Sequence, residues 1–522
     1  MAVMANEKTA GSVHKPGSEL SAHPDADERD PSSGDQTITC PSHTTDKRLM
    51  LKIDLHVIPF LKKIHKELWM TWHDLSLTQS WPAPPRADRV NIANAKLFNL
   101  LEDLDMASQP SKFNTAIVIF FVPYVSFELV SNVLLKRFKP STWLSLNMFL
   151  FGFTTMMQGL VQNYSGLLAT RFFLGLFESG MFPGAFYLIG MWYRRHEAQR
   201  RFSFFFNSTT LAGAFGGLLA AAIGKMNGLR GYSGWRWIFL IEGGLTVLVS
   251  FFFYFWLPDF PEQAKWLADD ERAYVAAKLR LDQGRAALDR KITLRDIANV
   301  FKDYKVIVAG FMYLGLIVPA YGYAYFAPSI ISSYGYGPIQ TQLRSVPPWA
   351  AAFGFSMMCA YASDKLKHRF VFALFPTGIA IAGFSMLRAV HRDTDVQYAA
   401  LFLAAMGAYT AMPVIVCWFN MNLGGHHRRA VGSAWQVSFG NLGGIVAAFV
   451  FEQQKGAKAD FNIGYSACIA FCCVTVVACC VYGFGCWKAN KDRRESTRNV
   501  EHLTPEQQDE LGDLNPSYRY LL

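Results

Sequence analysis

The chain has 522 residues, of which 51% are hydrophobic and only 17% are charged, whereas soluble domains carry roughly 25% charged residues. The formal net charge is +10, but the basic residues are scattered through breaks between apolar stretches, which argues against a nucleic-acid-binding surface. No phosphate-binding loop, Cys/His metal spacing or nucleophile constellation stands out, so we expect neither an enzyme nor a bound cofactor.

The N-terminal region divides into a tail and an anomalous segment. Residues 1–50 are rich in Ser, Pro, Asp, Gly and His and predict a disordered cytoplasmic tail. The segment 51–97 begins like a membrane span, but charged residues and three prolines follow between 62 and 87. Because a Lys or Asp at mid-bilayer costs roughly 2.5–3.5 kcal/mol, we predict an aberrant first span. It reflects either a gene-model fault, such as a retained intron, or else a real variant or an inactive paralogue.

Long apolar stretches then alternate with short hydrophilic breaks as far as residue 487. A helix needs roughly 20 apolar residues to cross the hydrocarbon core, and in lipid its backbone groups must be paired within the protein. Eleven stretches meet that length: 112–135, 141–162, 165–193, 202–226, 235–257, 305–332, 345–362, 369–387, 397–420, 430–451 and 463–487. The pattern predicts an all-α membrane protein.

A hydrophilic bridge at 258–304 separates five of these stretches from the following six. We therefore predict an N-terminal bundle (51–257), a cytoplasmic central loop (258–304), a C-terminal bundle (305–487) and a cytoplasmic tail (488–522).

Basic residues predict the orientation of the chain. They concentrate in one set of alternating breaks, which the positive-inside rule places in the cytoplasm. This set includes the breaks near 136–139, 194–201, 365–369 and 428–429, together with the bridge. Both termini are then cytoplasmic, and we expect a multi-pass protein of the plasma membrane.

Several motifs resemble those of fungal allantoate-permease-like transporters, the anion:cation symporter branch of the major facilitator superfamily. They are Phe121-Val122-Pro123-Tyr124, the run from Arg171 to Gly184 with its Arg-x-x-x-Gly signature, Gly234-Trp235-Arg236-Trp237, Gly440-Asn441-Leu442-Gly443-Gly444, and Asn515-Pro516-Ser517-Tyr518-Arg519-Tyr520. Within that branch, the overall sequence pattern most resembles that of high-affinity nicotinic acid transporters.

The resemblance implies a major facilitator fold of twelve intended transmembrane helices, six and six, with a central midplane site and alternating access by rocking of the halves. The loop after the second helix departs from the superfamily's Gly-and-Asp pattern and reads Leu134-Leu135-Lys136-Arg137. The equivalent loop of the second half, with Asp364 and Arg369, is nearer to it. We assign Asp364, Arg369 and Glu242 to gating or structural motifs.

Ionisable residues deep in spans are candidates for function because they are costly there. Arg171 and Glu178 lie two turns apart on nearly the same helix face. The Arg171 guanidinium can hold a carboxylate with two hydrogen bonds, while Glu178 or Glu128 carries the coupling proton. The alternative for each acid, and for Arg171, is a permanent ion pair between helices.

Substrate binding is assigned to Arg171 together with Tyr321, Tyr325, Trp418, Asn422 and Asn441. Tyrosine offers a flat face and a hydroxyl, which suit an aromatic acid. Alternate spacing spreads Tyr321, Tyr323 and Tyr325 around a helix, so at most two of them should face one cavity. The alternative is hydrogen bonding between helices or contact with lipid.

These observations predict a monomeric secondary active transporter in the lipid bilayer. Its work would be proton-coupled uptake of a small organic anion, led by nicotinate. Allantoate or another ureide, pantothenate, biotin and other carboxylates are alternatives within that class. A non-transporting nutrient receptor, or a chain inactivated by its first helix, is the alternative from another class.

Overall fold

The computed structural model describes residues 43–57, 92–106, 109–194, 216–257, 259–264, 266–283, 294–366, 368–424, 426–451, 461–495 and 518–522, with isolated residues at 41, 201 and 214. The helices are α1 Asp46–Val57, α2 Leu100–Asp103, α3 Pro110–Arg137, α4 Pro140–Gln158, α5 Tyr164–Glu178, α6 Met181–Trp192, α7 Gly234–Trp256, α8 Asp269–Gln283, α9 Leu294–Phe301, α10 Tyr304–Ser332, α11 Pro338–Leu366, α12 Arg369–Ala389, α13 Thr394–Met421, α14 His426–Val450 and α15 Asn462–Glu495.

Local sequence signals set many of the helix starts. A proline is the first residue of α3, α4 and α11, where its missing N–H would have had no intrahelical partner. Asn163 caps α5 by accepting a hydrogen bond from the Gly166 N–H at 2.8 Å. Asp393 caps α13 by accepting from the backbone of Asp395 at 3.0 Å. Side-chain caps of this kind satisfy donors that the first turn leaves open.

The predicted spans form helices where the structure describes them, with two departures. The stretch 165–193 is divided into α5 and α6 by a turn at Ser179 and Gly180, and the stretch 202–226 is described as a continuous helix only at 216–224. Within the described residues, five helices are long and apolar enough to cross a membrane: α7, α10, α12, α13 and α15. The full count of twelve crossings stays a prediction.

Burial distinguishes central from peripheral helices. In their most apolar stretches, α10 and α13 are 72% and 78% buried inside the protein, whereas α7 is 33% buried and α12 and α15 are each 39% buried. The outer helices carry large apolar side chains on their open faces, such as Phe255 on α7 at 85% exposure. An apolar residue this exposed fits a lipid-facing surface.

Small residues allow the helices of each half to pack closely. In the first half, Gly243 of α7 lies against the backbone of Met156 on α4. In the second half, Gly407 of α13 lies against the backbone of Ala380 on α12. A Cβ at either glycine would overlap the facing main chain, so each pair requires glycine.

The start of the first predicted span is held by charges on α8. Lys278 of α8, with 5% of its side chain exposed, bonds to Asp46 at 2.8 Å. Lys52 bonds to Glu271 at 2.5 Å. Burial acts to raise the pKa of Glu271, but hydrogen bonds from Lys52 and from the Ala268 N–H outweigh it and hold that pKa below its usual value of 4.5.

α1 therefore begins at Asp46, inside the range expected to be tail. At the other end of the first predicted span, residues 92–96 form a short helical segment whose first four residues are buried. The predicted break at 62–87 lies outside the described residues.

The two halves meet along α3 and α14 and again near residue 94. Asn94, 7% exposed, accepts a hydrogen bond from the buried Gln342 of α11 at 3.2 Å. Gly217 lies against Ser345, also on α11, where a Cβ would come within 2.8 Å of the hydroxyl oxygen. Contacts between the halves therefore involve residues 94 and 217 on one side and α11 on the other.

Candidate functional site

Two of the predicted ionisable residues lie on α5. Arg171 and Glu178 are 1% and 3% exposed, and their Cα atoms are about 10 Å apart along the helix axis. Gly175, between them, lies against the carbonyl of Phe120 on α3, so a side chain there would force the helices apart. Both Arg171 and Glu178 are thus buried inside the protein. Their spacing suits contact with different parts of one ligand.

The Arg171 guanidinium faces α7. Its central carbon is 6.0 Å from the centre of the Phe239 ring, the outer limit for attraction between a cation and an aromatic face. Glu242 follows Phe239 by three residues, which puts both on one side of α7, and it is 2% exposed. A buried acid thus lies one turn along the helix from the ring that Arg171 approaches.

Gln158, the last residue of α4, adds a buried amide to this region. Its side chain is fully buried, and neither amide atom has a hydrogen-bond partner in the described part of the chain. The next residue, Gly159, lies against Leu240 of α7, so the end of α4 packs against that helix. A buried amide without a partner costs about 1–3 kcal/mol, and a ligand could recover this cost.

The tyrosines of α10 divide between two directions, as their spacing predicts. Tyr321 and Tyr325 stack with ring centres 5.6 Å apart, and Tyr321 meets Phe121 of α3 edge-on at 5.4 Å. Tyr323 points elsewhere and contacts the Trp349 ring at 5.3 Å. The structure therefore places Tyr321 at the boundary between the halves and stacks Tyr325 on it, while Tyr323 packs within the second half.

Glu128 connects the two halves. It is 1% exposed, and its carboxylate accepts a hydrogen bond from the Ser438 hydroxyl of α14 at 3.0 Å. Two turns further along α14, Gly444 faces the ring of Phe121, which leaves no room for a Cβ. Asn441, 3% exposed, lies midway between Ser438 and Gly444 on this face of α14. The Glu128 carboxylate therefore joins α3 of the first half to α14 of the second half.

Trp418 and Asn422 have partners other than a central ligand. The Trp418 indole N–H donates to the carbonyl of Leu521 at 2.8 Å, and the Asn422 amide donates to the same oxygen at 3.0 Å. Asn422 also accepts from the Leu521 N–H at 2.7 Å. These contacts tie both side chains to the C-terminal segment 518–522, so we do not retain them as substrate contacts.

The predicted gating residues of the second half are only partly described. Arg369, the first residue of α12 and 7% exposed, donates to the Ser363 hydroxyl in the last turn of α11 at 2.6 Å. Its backbone N–H donates to the Leu522 carbonyl at 2.7 Å. The side chain of Asp364 lies outside the described part of the chain.

Sequence reasoning missed three residues of this region: Phe121, Gln158 and Ser438. Phe121 belongs to a recognised motif, but its meeting with Tyr321 and Gly444 depends on how α3, α10 and α14 pack. Gln158 gives no signal beyond a polar residue at the end of an apolar stretch. Ser438 is a common residue in membrane helices, and only its distance to Glu128 sets it apart.

Comparison with known proteins agrees with this architecture. Among solved structures, a D-xylose-proton symporter matches with a TM-score of 0.58 at 15% identity, covering 77% of this chain and 94% of that one. A bacterial homologue of the lysosomal transporter Spinster, in an inward-facing and occupied conformation, matches with a TM-score of 0.53 at 14% identity, covering 77% and 95%. At these identities the likeness shows the fold alone.

Sequence relatives are fungal transporters. MFS transporter prlL from Fungal sp. strain NRRL 50135 is 32% identical over 406 residues, which covers 76% of this chain and 82% of that protein. MFS-type transporter cnsO from Penicillium expansum is 28% identical over 494 residues, 92% of each chain. Major facilitator-type transporter hxnP from Emericella nidulans is 28% identical over 451 residues, 83% of this chain and 88% of that one.

The family model of the Major Facilitator Superfamily matches residues 90–448, from the last turn of the first predicted span almost to the end of α14. That match takes in most of both halves, the bridge between them and every ionisable residue assigned above to the site, and it ends before α15. The chain therefore belongs to the Major Facilitator Superfamily, whose members of this kind are transporters.

Proposed function

We propose that this transporter takes up a small organic anion together with a proton, and that nicotinate is its leading substrate. The observation that carries the proposal is the burial of Arg171, 1% exposed, beside the Phe239 ring. A permanent cation in such a place is expensive unless it serves an anion or an acid. The planar guanidinium matches a carboxylate with two parallel hydrogen bonds.

Aromatic side chains support an aromatic anion over an aliphatic one. Tyr321 is half-buried at the boundary between the halves, is stacked on Tyr325, and lies edge-on to Phe121. A pyridine ring can extend such a stack, and offset or edge-on ring pairs each add roughly 0.5–1.5 kcal/mol beyond burial. Gln158 offers an amide donor and acceptor for the polar edge of the substrate.

Glu128 and Glu178 are the proposed proton carriers, in different roles. Glu178 shares α5 with Arg171, so its charge responds to an anion bound there. Glu128 holds α14 through Ser438, so a change in its protonation alters a contact between the halves. This arrangement links the proton to the rocking motion as well as to the ligand.

The test is uptake of radiolabelled nicotinate in a permease-deficient yeast. It is run on this sequence and on a version in which residues 62–87 are replaced by a continuous apolar helix. Competition by unlabelled allantoate, pantothenate and biotin ranks the other substrates. Accumulation above the external concentration, abolished by a protonophore, is the expected result. Surface-expressed protein of the repaired version that accumulates none of these anions would refute the proposal and favour a non-transporting receptor.

A further inference from the structure

The C-terminal segment 518–522 is docked on the second half through its backbone. Asn490 of α15 donates to the Tyr520 carbonyl and accepts from the Tyr520 N–H, both at 2.8 Å. Asn422, beside the end of α13, makes the same pair of bonds with Leu521, at 3.0 and 2.7 Å. Each asparagine amide thus bonds to both the backbone N–H and the carbonyl of one residue of the segment, as a neighbouring β-strand would.

The side chain of Tyr520 is held by two cations and is 5% exposed. The Lys305 ammonium lies 4.0 Å from the ring centre and donates to the hydroxyl at 2.8 Å. The Arg493 guanidinium lies 4.7 Å from the same ring centre. Contacts between cations and an aromatic face strengthen when both are removed from water, so this pocket selects an aromatic side chain.

Further bonds reach two other places on the same surface. The Trp418 indole donates to the Leu521 carbonyl at 2.8 Å, and the Arg369 backbone N–H donates to the Leu522 carbonyl at 2.7 Å. The Arg369 N–H belongs to the first residue of α12, where an acceptor satisfies an otherwise open donor. The segment therefore contacts α10, α12, α13 and α15, or residues directly beside their ends.

We propose that this surface of the second half is a binding site for an extended aromatic peptide, and that this chain's own residues 518–522 are its ligand. Occupation of the site ties the ends of four helices together, so that the second half rocks as one body. The proposal uses the membership of the transporter family but not the identity of the substrate.

The residues that the segment contacts show whether it stiffens one half or prevents the two halves from rocking. A lock against rocking would join the two halves, yet the bonds named above all run from the segment to the second half. The site also includes Arg369 at the start of α12, directly after the loop from α11, and the superfamily resemblance assigns this residue to gating. A bound segment there stiffens the gating loop without touching Arg171 or Tyr321. Loss of the segment is thus expected to lower the rate of transport and to leave substrate affinity unchanged.

Conservative variants test the site in the full-length chain. Asn422→Asp and Asn490→Asp keep the acceptor but lose the amide donor, and each presents an oxygen to a carbonyl. Thermal unfolding in detergent, without substrate, should show a midpoint at least roughly 2 °C lower for each, the shift given by loss of about one hydrogen bond in a unit of this size. The control is Arg519→Ala, at an exposed position of the segment, which is expected to match the wild type.

Deletion of residues 518–522 leaves the pocket without its peptide, so that the two can be tested separately. Its midpoint should fall, an added peptide of sequence 515–522 should restore it, and the same peptide with Tyr520→Ala should not. In the protein that lacks residues 518–522, Asn422→Asp should have little further effect on the midpoint, because the two changes remove the same interaction. At equal surface abundance, the deletion should lower the maximal uptake rate and leave KM unchanged.

Three outcomes would overturn the proposal. One is a wild-type midpoint for both asparagine variants, and another is a full further loss from Asn422→Asp in the deletion. The third is faster uptake after deletion, which would make the segment an inhibitor. The thermal readout needs no substrate, so absence of nicotinate uptake in the wild type counts against the proposed substrate alone. If the deletion does not fold, the two asparagine variants still decide the question.

Discussion

Replacement of Gly444 by alanine tests the contact between the halves. A Cβ at this position would come closer than 3.0 Å to three atoms of the Phe121 ring, and overpacking of this kind costs typically 1–3 kcal/mol. Separation of α3 from α14 would also weaken the Glu128–Ser438 hydrogen bond, worth about 1 kcal/mol. Alanine itself favours a helix over glycine by about 1 kcal/mol. The net cost is roughly 1–3 kcal/mol, or about five- to 150-fold in the population of the packed state.

Unfolding midpoint and surface-normalised uptake are the two assays for Gly444→Ala, and both should fall. Gly378→Ala is the matched control, because among the described residues no atom outside its own helix turn lies within 4 Å of its added Cβ, and it should be neutral or slightly stabilising. Phe121→Ala in the Gly444→Ala background should recover part of the loss, since it removes the ring that the methyl group meets. A Gly444→Ala protein with the wild-type midpoint and uptake would refute the packing argument.

The remaining predictions concern charge, coupling and the first span. Arg171→Lys should lose most substrate affinity at equal surface expression, because an ammonium cannot replace the planar fork; unchanged uptake kinetics would reject the carboxylate clamp. Wild-type uptake should rise as external pH falls, and Glu178→Gln should keep exchange but lose accumulation, both measured with labelled nicotinate. The pKa of Glu271 lies below 4.5, so its contribution to stability is present above that pH and is lost as the pH falls through the folded pKa. The midpoints of wild type and Glu271→Gln should therefore differ at pH 7 and converge in acid, and a constant difference would contradict this. Transcript sequencing across codons 61–88 should reveal a shorter form encoding a continuous apolar helix; a mature transcript that matches the present residues, with active transport, would exclude the gene-model explanation.

Hydropathy predicted most of the helical architecture because burial in lipid requires only composition and length. The stretches 305–332, 369–387 and 397–420 differ from α10, α12 and α13 by three residues or fewer at each end. Proline and glycine are harder to interpret from sequence. The helix break after Glu178 falls inside the stretch 165–193, which hydropathy predicts as one span. Gly180, at this break, is tightly packed against Ser131 of α3.

Candidate site residues were predictable where the free-energy cost of placing an ionisable group in a membrane span singled them out. Arg171, Glu178, Glu128 and Glu242 stand out because ionisable groups are expensive in a span, and all four are buried. Their partners were not predictable, since a hydrogen bond such as Glu128 to Ser438 joins residues 310 positions apart. Polar residues near span ends carry no such cost, so Trp418 and Asn422 could be read equally well as ligand contacts.

The sequence by itself determined that this protein is an all-α membrane protein and where most of its helices run, and it singled out the ionisable residues that are buried within them. These features follow from local periodicity and from the price of placing polar groups in lipid. Only the tertiary structure decided that Tyr321 faces Phe121, that the end of α4 packs against α7, and that Trp418 and Asn422 hold the chain's own tail. Each of those contacts joins segments far apart in the chain, and their proximity depends on how helices pack side by side, which periodicity within one helix does not specify.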